Sequence, residues 1–187
     1  HSAIFKRVVA EYDAEYSSVG LDEVTMNMSG WLLLHRGLSA GERPRPARDT
    51  WKTAPLVDNR EVKLPRNALE STCTTAEDVA FEIRARIYAE SGLTASAGVG
   101  PTAAISKILS NFDKPDGQSA FRATTTEELQ KFMAPHPIRI IAGVGRASEE
   151  HLAALGIHTC DDLFTQRHRL CHVLTPKSFA SLLTAAV

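Results

Sequence analysis

Cysteine is scarce in this chain: Cys73, Cys160 and Cys171 are odd in number, widely spaced and without a Cys-x-x-Cys pair. That pattern argues against a disulfide framework or a zinc knuckle and makes a reducing intracellular compartment the default expectation. Long apolar runs are lacking as well. The stretch Trp31-Leu32-Leu33-Leu34 stops at His35-Arg36, far short of the roughly 20 residues that a membrane span needs. Neither charge sign dominates. With 21 Lys+Arg against 22 Asp+Glu the formal net charge is -1, so there is no global attraction to nucleic acid, although a local phosphate site needs none. The start at His1 carries no apolar signal core and is read as that of a fragment or processed chain. No internal repeat is visible.

What is present suits a globular protein. Hydrophobic residues make up 43% and charged residues 23% of 187 positions, enough for one good-sized core or two small ones. Ile4, Phe5, Val8, Val9 and Tyr12 recur at helical spacing, which predicts a helix within residues 1–15. Residues 16–19 and 24–28 are short strand candidates. Residues 36–67 interleave Pro44, Pro46, Pro55 and Pro65 with glycines and many cations. Such a segment buries too little apolar area to offset its ordering entropy, and it is read as a flexible insertion.

Order resumes at Thr74-Thr75-Ala76-Glu77-Asp78, a helix start with a capping-box pattern. Val79, Ala80, Ile83 and Ile87 predict one buried stripe, and Gly92 a helix stop. Residues 93–99 read as a small-residue strand. Gly100-Pro101 opens a helix expected to turn Ala104, Ile105, Ile108 and Leu109 inward, and Pro115-Asp116-Gly117 ends it. Residues 118–122 suit a short edge strand. After a composition change near Ala123 the pattern is all-helical, so the expected domains are 1–123 and 124–187.

Three groups of residues carry chemistry. Asp22 and Glu23 are adjacent, in Gly20-Leu21-Asp22-Glu23-Val24-Thr25-Met26-Asn27. On a regular strand their side chains would point to opposite faces, but a strand end or tight turn, which Gly20 permits, would let them converge on a hard divalent cation. The plain alternative is an acidic turn in water. Lys107 and Lys114 stand seven residues apart, two helical turns, and on one helix face they would clamp a triphosphate; otherwise they form the wet face of an amphipathic helix. In Ile141-Ala142-Gly143-Val144-Gly145-Arg146 a hydrophobic residue sits between two glycines, the helix-hairpin-helix pattern, whose backbone can approach a phosphate. A simple glycine-capped turn is the other reading. The seven histidines are scattered and are taken as solvated or capping.

Read together, these stretches resemble the Y-family (translesion) DNA polymerases, nearest the kappa branch. The family's Ser-x-Asp-Glu-Ala-Tyr-Leu-Asp/Asn strand is similar to residues 20–27. Its Ser-Ala/Cys-Gly-Ile-Ala/Gly-x-Asn segment is similar to Ser96-Ala97-Gly98-Val99-Gly100-Pro101-Thr102, and its Lys-Pro-Asn-Gly-Gln to Lys114-Pro115-Asp116-Gly117-Gln118. The Pro-Ile-Arg-Lys-Val-Ser-Gly-Ile-Gly and Leu-Gly-Ile-x-Thr-Cys stretches resemble residues 137–145 and 155–160.

The resemblance implies an α+β chain: a partial polymerase palm, ferredoxin-like with an antiparallel or mixed sheet, then a small all-helical thumb with a helix-hairpin-helix. It implies Asp22 and Glu23 as metal-binding and catalytic carboxylates, Lys107 and Lys114 at the nucleotide triphosphate, and Gly143, Val144, Gly145 and Arg146 at DNA. Two Mg²⁺ ions (Mn²⁺ as an alternative), primer–template DNA and a deoxynucleoside triphosphate are implied, as is a sliding clamp recruited through regions outside this chain. Nuclear residence is expected, with mitochondrial residence as the alternative, and no membrane. Gly20, Val24 and Thr25 depart from the family's usual Ser, Ala and Tyr. Its first metal-binding Asp, in an Asp-Ala-Phe-Tyr strand, has no counterpart here, nor do the fingers and little finger, so the chain alone is expected to be inactive. A non-catalytic helix-hairpin-helix DNA-binding module is the runner-up. A palm-like nucleotidyl cyclase, which would not need the hairpin, is a third.

Overall fold

Val8, Val9 and Tyr12 fall on one side of helix α1, Ser2–Tyr12, and all three are buried. The fold was obtained as a computed structural model, which describes residues 2–35, 66, 68–71 and 73–186. The expected flexible insertion therefore lies, but for residue 66, outside the described residues. The chain divides into two compact units, 1–121 and 122–187. Among the described residues no helix is long and apolar enough to cross a membrane.

In the first unit α1 ends where Asp13 takes over local hydrogen bonding. Its carboxylate accepts the backbone N–H of Glu15 at 3.0 Å and of Asn27 at 2.7 Å. The Asn27 contact draws down the end of a hairpin, β1 (Ser17–Val19) with β2 (Glu23–Thr25), paired antiparallel with Ser18 opposite Val24. Asn27 also caps the next helix, accepting from Ser29 at 3.1 Å, so the second strand stops short of its expected end at 28. That helix, α2 (Ser29–His35), lays Trp31 on Tyr12 with ring centroids 5.8 Å apart.

Helix α3, Ala76–Ser91, starts and stops as its sequence predicts. Thr75 caps it by accepting the N–H of Asp78, and Gly92, in the left-handed region at φ 69°, closes it on the carbonyl of Tyr88. Its burial is wider than the single stripe expected. Glu77, Glu82, Arg84 and Arg86 are buried along with Val79, Ile83 and Ile87, because α1 covers one side while a second strand pair covers another. That pair is β3 (Ala97–Val99) and β4 (Gln118–Ala120), parallel, with helix α4 (Ala103–Leu109) in the connection. The described sheet is thus two separate two-stranded pieces within a mixed α+β unit. β4 pairs only with β3 in the described sheet, an edge position as expected, yet Gln118 is 3% exposed, and its amide donates to the carbonyl of Glu77 at 2.8 Å. Ala104, expected inward, is exposed. The inward positions of α4 are Ile105, Ile108 and Leu109.

The second unit is helical: α5 (Thr126–Met133), α6 (Arg146–Ala154), α7 (Cys160–Thr165), α8 (Arg167–Val173) and α9 (Pro176–Ala186), with a 3-10 turn at Ile138–Ile140. Met133, Ile138, Val144, Leu152, Ile157, Cys160, Leu163 and Leu170 are buried. A backbone bridge pairs Pro137 with Thr159. It is extended by Ile138 donating to His158 at 2.8 Å and Cys160 to His136 at 3.0 Å. His136 corrects the expectation that every histidine is solvated or capping. It is half-buried, edge-on to Phe132 at 5.2 Å, and burial lowers its pKa.

Candidate functional site: an acidic pair and two lysines in one cleft

Gly20, at φ 77°, turns the chain between β1 and β2 so that Asp22 ends the turn and Glu23 begins the strand. The pair therefore straddles a turn–strand junction rather than alternating within a strand, as convergence requires. Asp22 is exposed and Glu23 half-exposed. The ammonium of Lys107 forms an ion pair with the Glu23 carboxylate.

Lys107 reaches across from α4, whose position depends on a missing side chain. A Cβ on Gly98 of β3 would lie 2.0 Å from the carbonyl oxygen of Ser106 and 2.4 Å from the backbone nitrogen of Ser110. Glycine alone lets the helix backbone rest directly on the strand. Thr102 caps the helix by accepting the N–H of Ile105 at 3.3 Å. Its far end is tied off at Lys107 itself: the Ser110 hydroxyl and the Asn111 amide donate to the Lys107 carbonyl at 2.8 and 3.3 Å.

Those bonds correct the expected two-turn lysine face. The N–H groups of Asn111 and Phe112 turn back to Ile108 and Leu109, three residues earlier. The helix is over at Leu109, and Lys114 stands beyond it in the loop before Pro115. Local side-chain hydrogen bonds have outcompeted helix extension. Lys114 reaches the site by another route. Arg84, 1% exposed, grips the following turn: its guanidinium donates to the Asp116 carbonyl at 2.6 Å, to the Asp116 carboxylate at 2.9 Å and to the Ala95 carbonyl at 2.8 Å. The Asp113 carboxylate accepts from the Ser119 hydroxyl, tying the loop to β4.

Asp22, Glu23, Lys107 and Lys114 consequently line one open cleft of about 1340 Å³ in the first unit, together with Asp13 and Glu15. Asp13, Arg84, Gly98 and Ser110 help shape it without having been singled out from sequence as site residues. Only Gly98 left a signal there, as the glycine of a small-residue stretch.

Carboxylate oxygens are the donors that a hard divalent cation takes, and a cation, the Lys107 ammonium, already stands at Glu23. Two carboxylates are fewer donors than such an ion's full shell, the rest of which would come from waters or substrate oxygens. The pair does not supply two ions: among the described residues no cluster of three or more His, Cys, Asp or Glu side chains could hold a metal.

In the second unit, Gly143 is exposed at φ 93° and Gly145 precedes the first turn of α6. The Val144 side chain belongs to the core, 6% exposed, so its backbone is what this residue can offer a ligand. Arg146 is exposed and pairs with Glu150 at 2.9 Å. Where the expected motif needs a first helix, the chain has a three-residue 3-10 turn, Ile138–Ile140.

Residues 1–111 match the model of the impB/mucB/samB family. DNA polymerase IV of Marinomonas sp. (strain MWYL1) is 40% identical over 108 residues, 58% of this chain and 29% of that protein. DNA polymerase kappa of Mus musculus is 28% identical over 220 residues, 97% of this chain and 26% of that protein. This chain thus spans between a quarter and a third of the length of these curated relatives. A solved Y-family DNA polymerase chimera of Dbh and Dpo4 superposes with a TM-score of 0.70 over 99% of this chain and 42% of that one. At 17% identity that likeness bears on the fold alone.

Proposed function

This chain belongs to the impB/mucB/samB family, and from that premise we propose that it forms part of the palm, and the thumb, of a translesion DNA polymerase of the kappa and polymerase IV kind. The observation that carries the reading is the meeting of Asp22, Glu23, Lys107 and Lys114 in one cleft.

In this reading Asp22 and Glu23 hold a divalent cation. A cation so held draws charge from the reacting phosphate and lowers the pKa of the attacking hydroxyl. Lys114, outside any ion pair found among the described residues, presents its ammonium to the triphosphate of the incoming nucleotide, with Lys107 beside it. Charge-assisted contacts of that kind orient the phosphates and stabilise the charge that develops on them. The backbone of residues 143–146 meets a DNA phosphate, a contact that grips without reading sequence. Two-metal nucleotidyl transfer is the finer form of the proposal. It needs a further carboxylate from the whole enzyme, since the acidic pair serves one ion. Primer–template DNA, a deoxynucleoside triphosphate, a sliding clamp engaged through other regions, and residence in the nucleus (or in mitochondria) belong to the same reading.

The test is primer extension by the intact enzyme. Asp22→Ala or Glu23→Ala is expected to lower extension by at least about a hundredfold while DNA affinity stays unchanged. Equal loss of DNA affinity would mean that the acids are structural and that the runner-up, a DNA-binding module, is the better description.

A further inference from the structure

Glu23 is not waiting alone for a cation. Among the described residues Lys107 is the lysine that engages the acidic pair, whereas Lys114 lines the same cleft without such a contact. The backbone carrying Lys107 is held on both sides, by the close approach at Gly98 and by the two donors on its own carbonyl. Its side chain, 41% exposed, is long and free to swing. An ammonium and a hard metal ion repel each other and draw on the same carboxylate charge, so each weakens the other's hold on Glu23.

Resting on the reading that Asp22 and Glu23 hold a divalent cation, we infer that Lys107 is the resident counter-ion of that site. It neutralises Glu23 while no divalent cation is bound and is displaced when one arrives. The displaced ammonium is then available to the triphosphate that accompanies the ion. Lys107 therefore weakens cation binding in the absence of nucleotide, and by linkage the two ligands favour each other. This is a regulatory property of the site, and it is separable from the presence of the metal site itself.

Mn²⁺ titration of the 187-residue chain, followed by paramagnetic resonance of the free ion, tests it without any activity measurement. Four proteins are compared: wild type, Lys107→Met, Lys114→Met and Glu23→Gln, each checked for folding by circular dichroism. Lys107→Met is expected to bind Mn²⁺ roughly two- to fivefold more tightly than wild type, the range of a half-exposed ion pair. Lys114→Met removes the same charge from the same cleft without touching Glu23 and is expected to change affinity less. The inference is overturned if Lys107→Met leaves Mn²⁺ affinity unchanged or weakens it, or if Lys114→Met matches its effect. Binding lost in Glu23→Gln but indifferent to Lys107 sinks this inference and leaves the metal site standing. Binding that is absent from both wild type and Lys107→Met, or that is insensitive to Glu23→Gln, removes the metal site and the inference together.

Discussion

A hydrogen atom at position 98 decides where Lys107 stands. Any larger side chain there would overlap the backbone of Ser106 and Ser110, and backbone cannot rotate aside as a side chain can. Gly98→Ala is expected to destabilise the first unit by about 1–3 kcal/mol, the usual cost of overpacking. Urea denaturation will measure this. Loss of stability below that range would show that α4 shifts freely on β3. At the same scale, Asp22 and Glu23 stand out in the sequence only through the colinear motifs around them, since adjacent acids recur at Glu77-Asp78, Glu127-Glu128, Glu149-Glu150 and Asp161-Asp162. Lys107 was legible as a residue, but its partner was not: nothing in the spacing from Glu23 to Lys107 announces an ion pair across 84 positions.

Among elements, α3 ties the pieces of the first unit together, to α1 on one side and to β3 and β4 on another, partly through buried charges. Arg84 and Asp116 are buried, with side chains 2% and 9% exposed. Removing the arginine would take away the bonds that hold the Asp116 turn to α3 and loosen the loop that carries Lys114. Arg84→Met is expected to cost about 3–5 kcal/mol, seen as a fall in thermal midpoint, and Arg84→Lys should recover little because one ammonium cannot reach the Ala95 carbonyl, the Gln118 side-chain oxygen and both Asp116 oxygens. A further buried set links α1 to α3, with the Tyr12 hydroxyl donating to Glu82 at 2.7 Å and accepting from Arg86 at 3.1 Å.

In the second unit, the start of α7 depends on Asp162. Its carboxyl lies below the ordinary carboxylate range, chiefly because the His158 N–H donates to it, then through the Thr159 N–H and hydroxyl. A folded-state pKa below the unfolded one gives stability that is present above the unfolded value and is lost as pH falls through the folded one. Stability should therefore decline more steeply in wild type than in Asp162→Asn as pH falls below the ordinary carboxylate range. Parallel curves for the two proteins would disprove that role.

Taken whole, the molecule places its three free thiols in three environments. Cys171 is exposed. Burial pushes Cys160 up to about 11, and burial with Glu82 nearby pushes Cys73 up to about 11. Thiolate is the reactive form, so a disulfide reagent at about pH 8 should modify Cys171 rapidly and the other two only as the protein opens. Because Cys73 and Cys160 lie in different units, their rates report on each unit separately. Three equal fast rates would contradict the burial described here. The near-neutral charge of -1 also means that any DNA affinity should arise from a few local phosphate contacts, with a correspondingly shallow salt dependence.

By itself the sequence determined the features that rest on near neighbours. The start and stop of α3 follow from Thr75 and Gly92, the turn before Glu23 from Gly20, and the apolar side of α1 from a period of helical spacing. Family membership was legible for a related reason, since colinear short motifs survive even when overall identity is low. Tertiary structure alone decided that Arg84 rather than a helix turn delivers Lys114, that Val144 faces inward, and that Lys107 meets Glu23. Each of those outcomes is a competition between local preference and distant partners, and a string of residue types does not state which distant group comes within hydrogen-bonding reach.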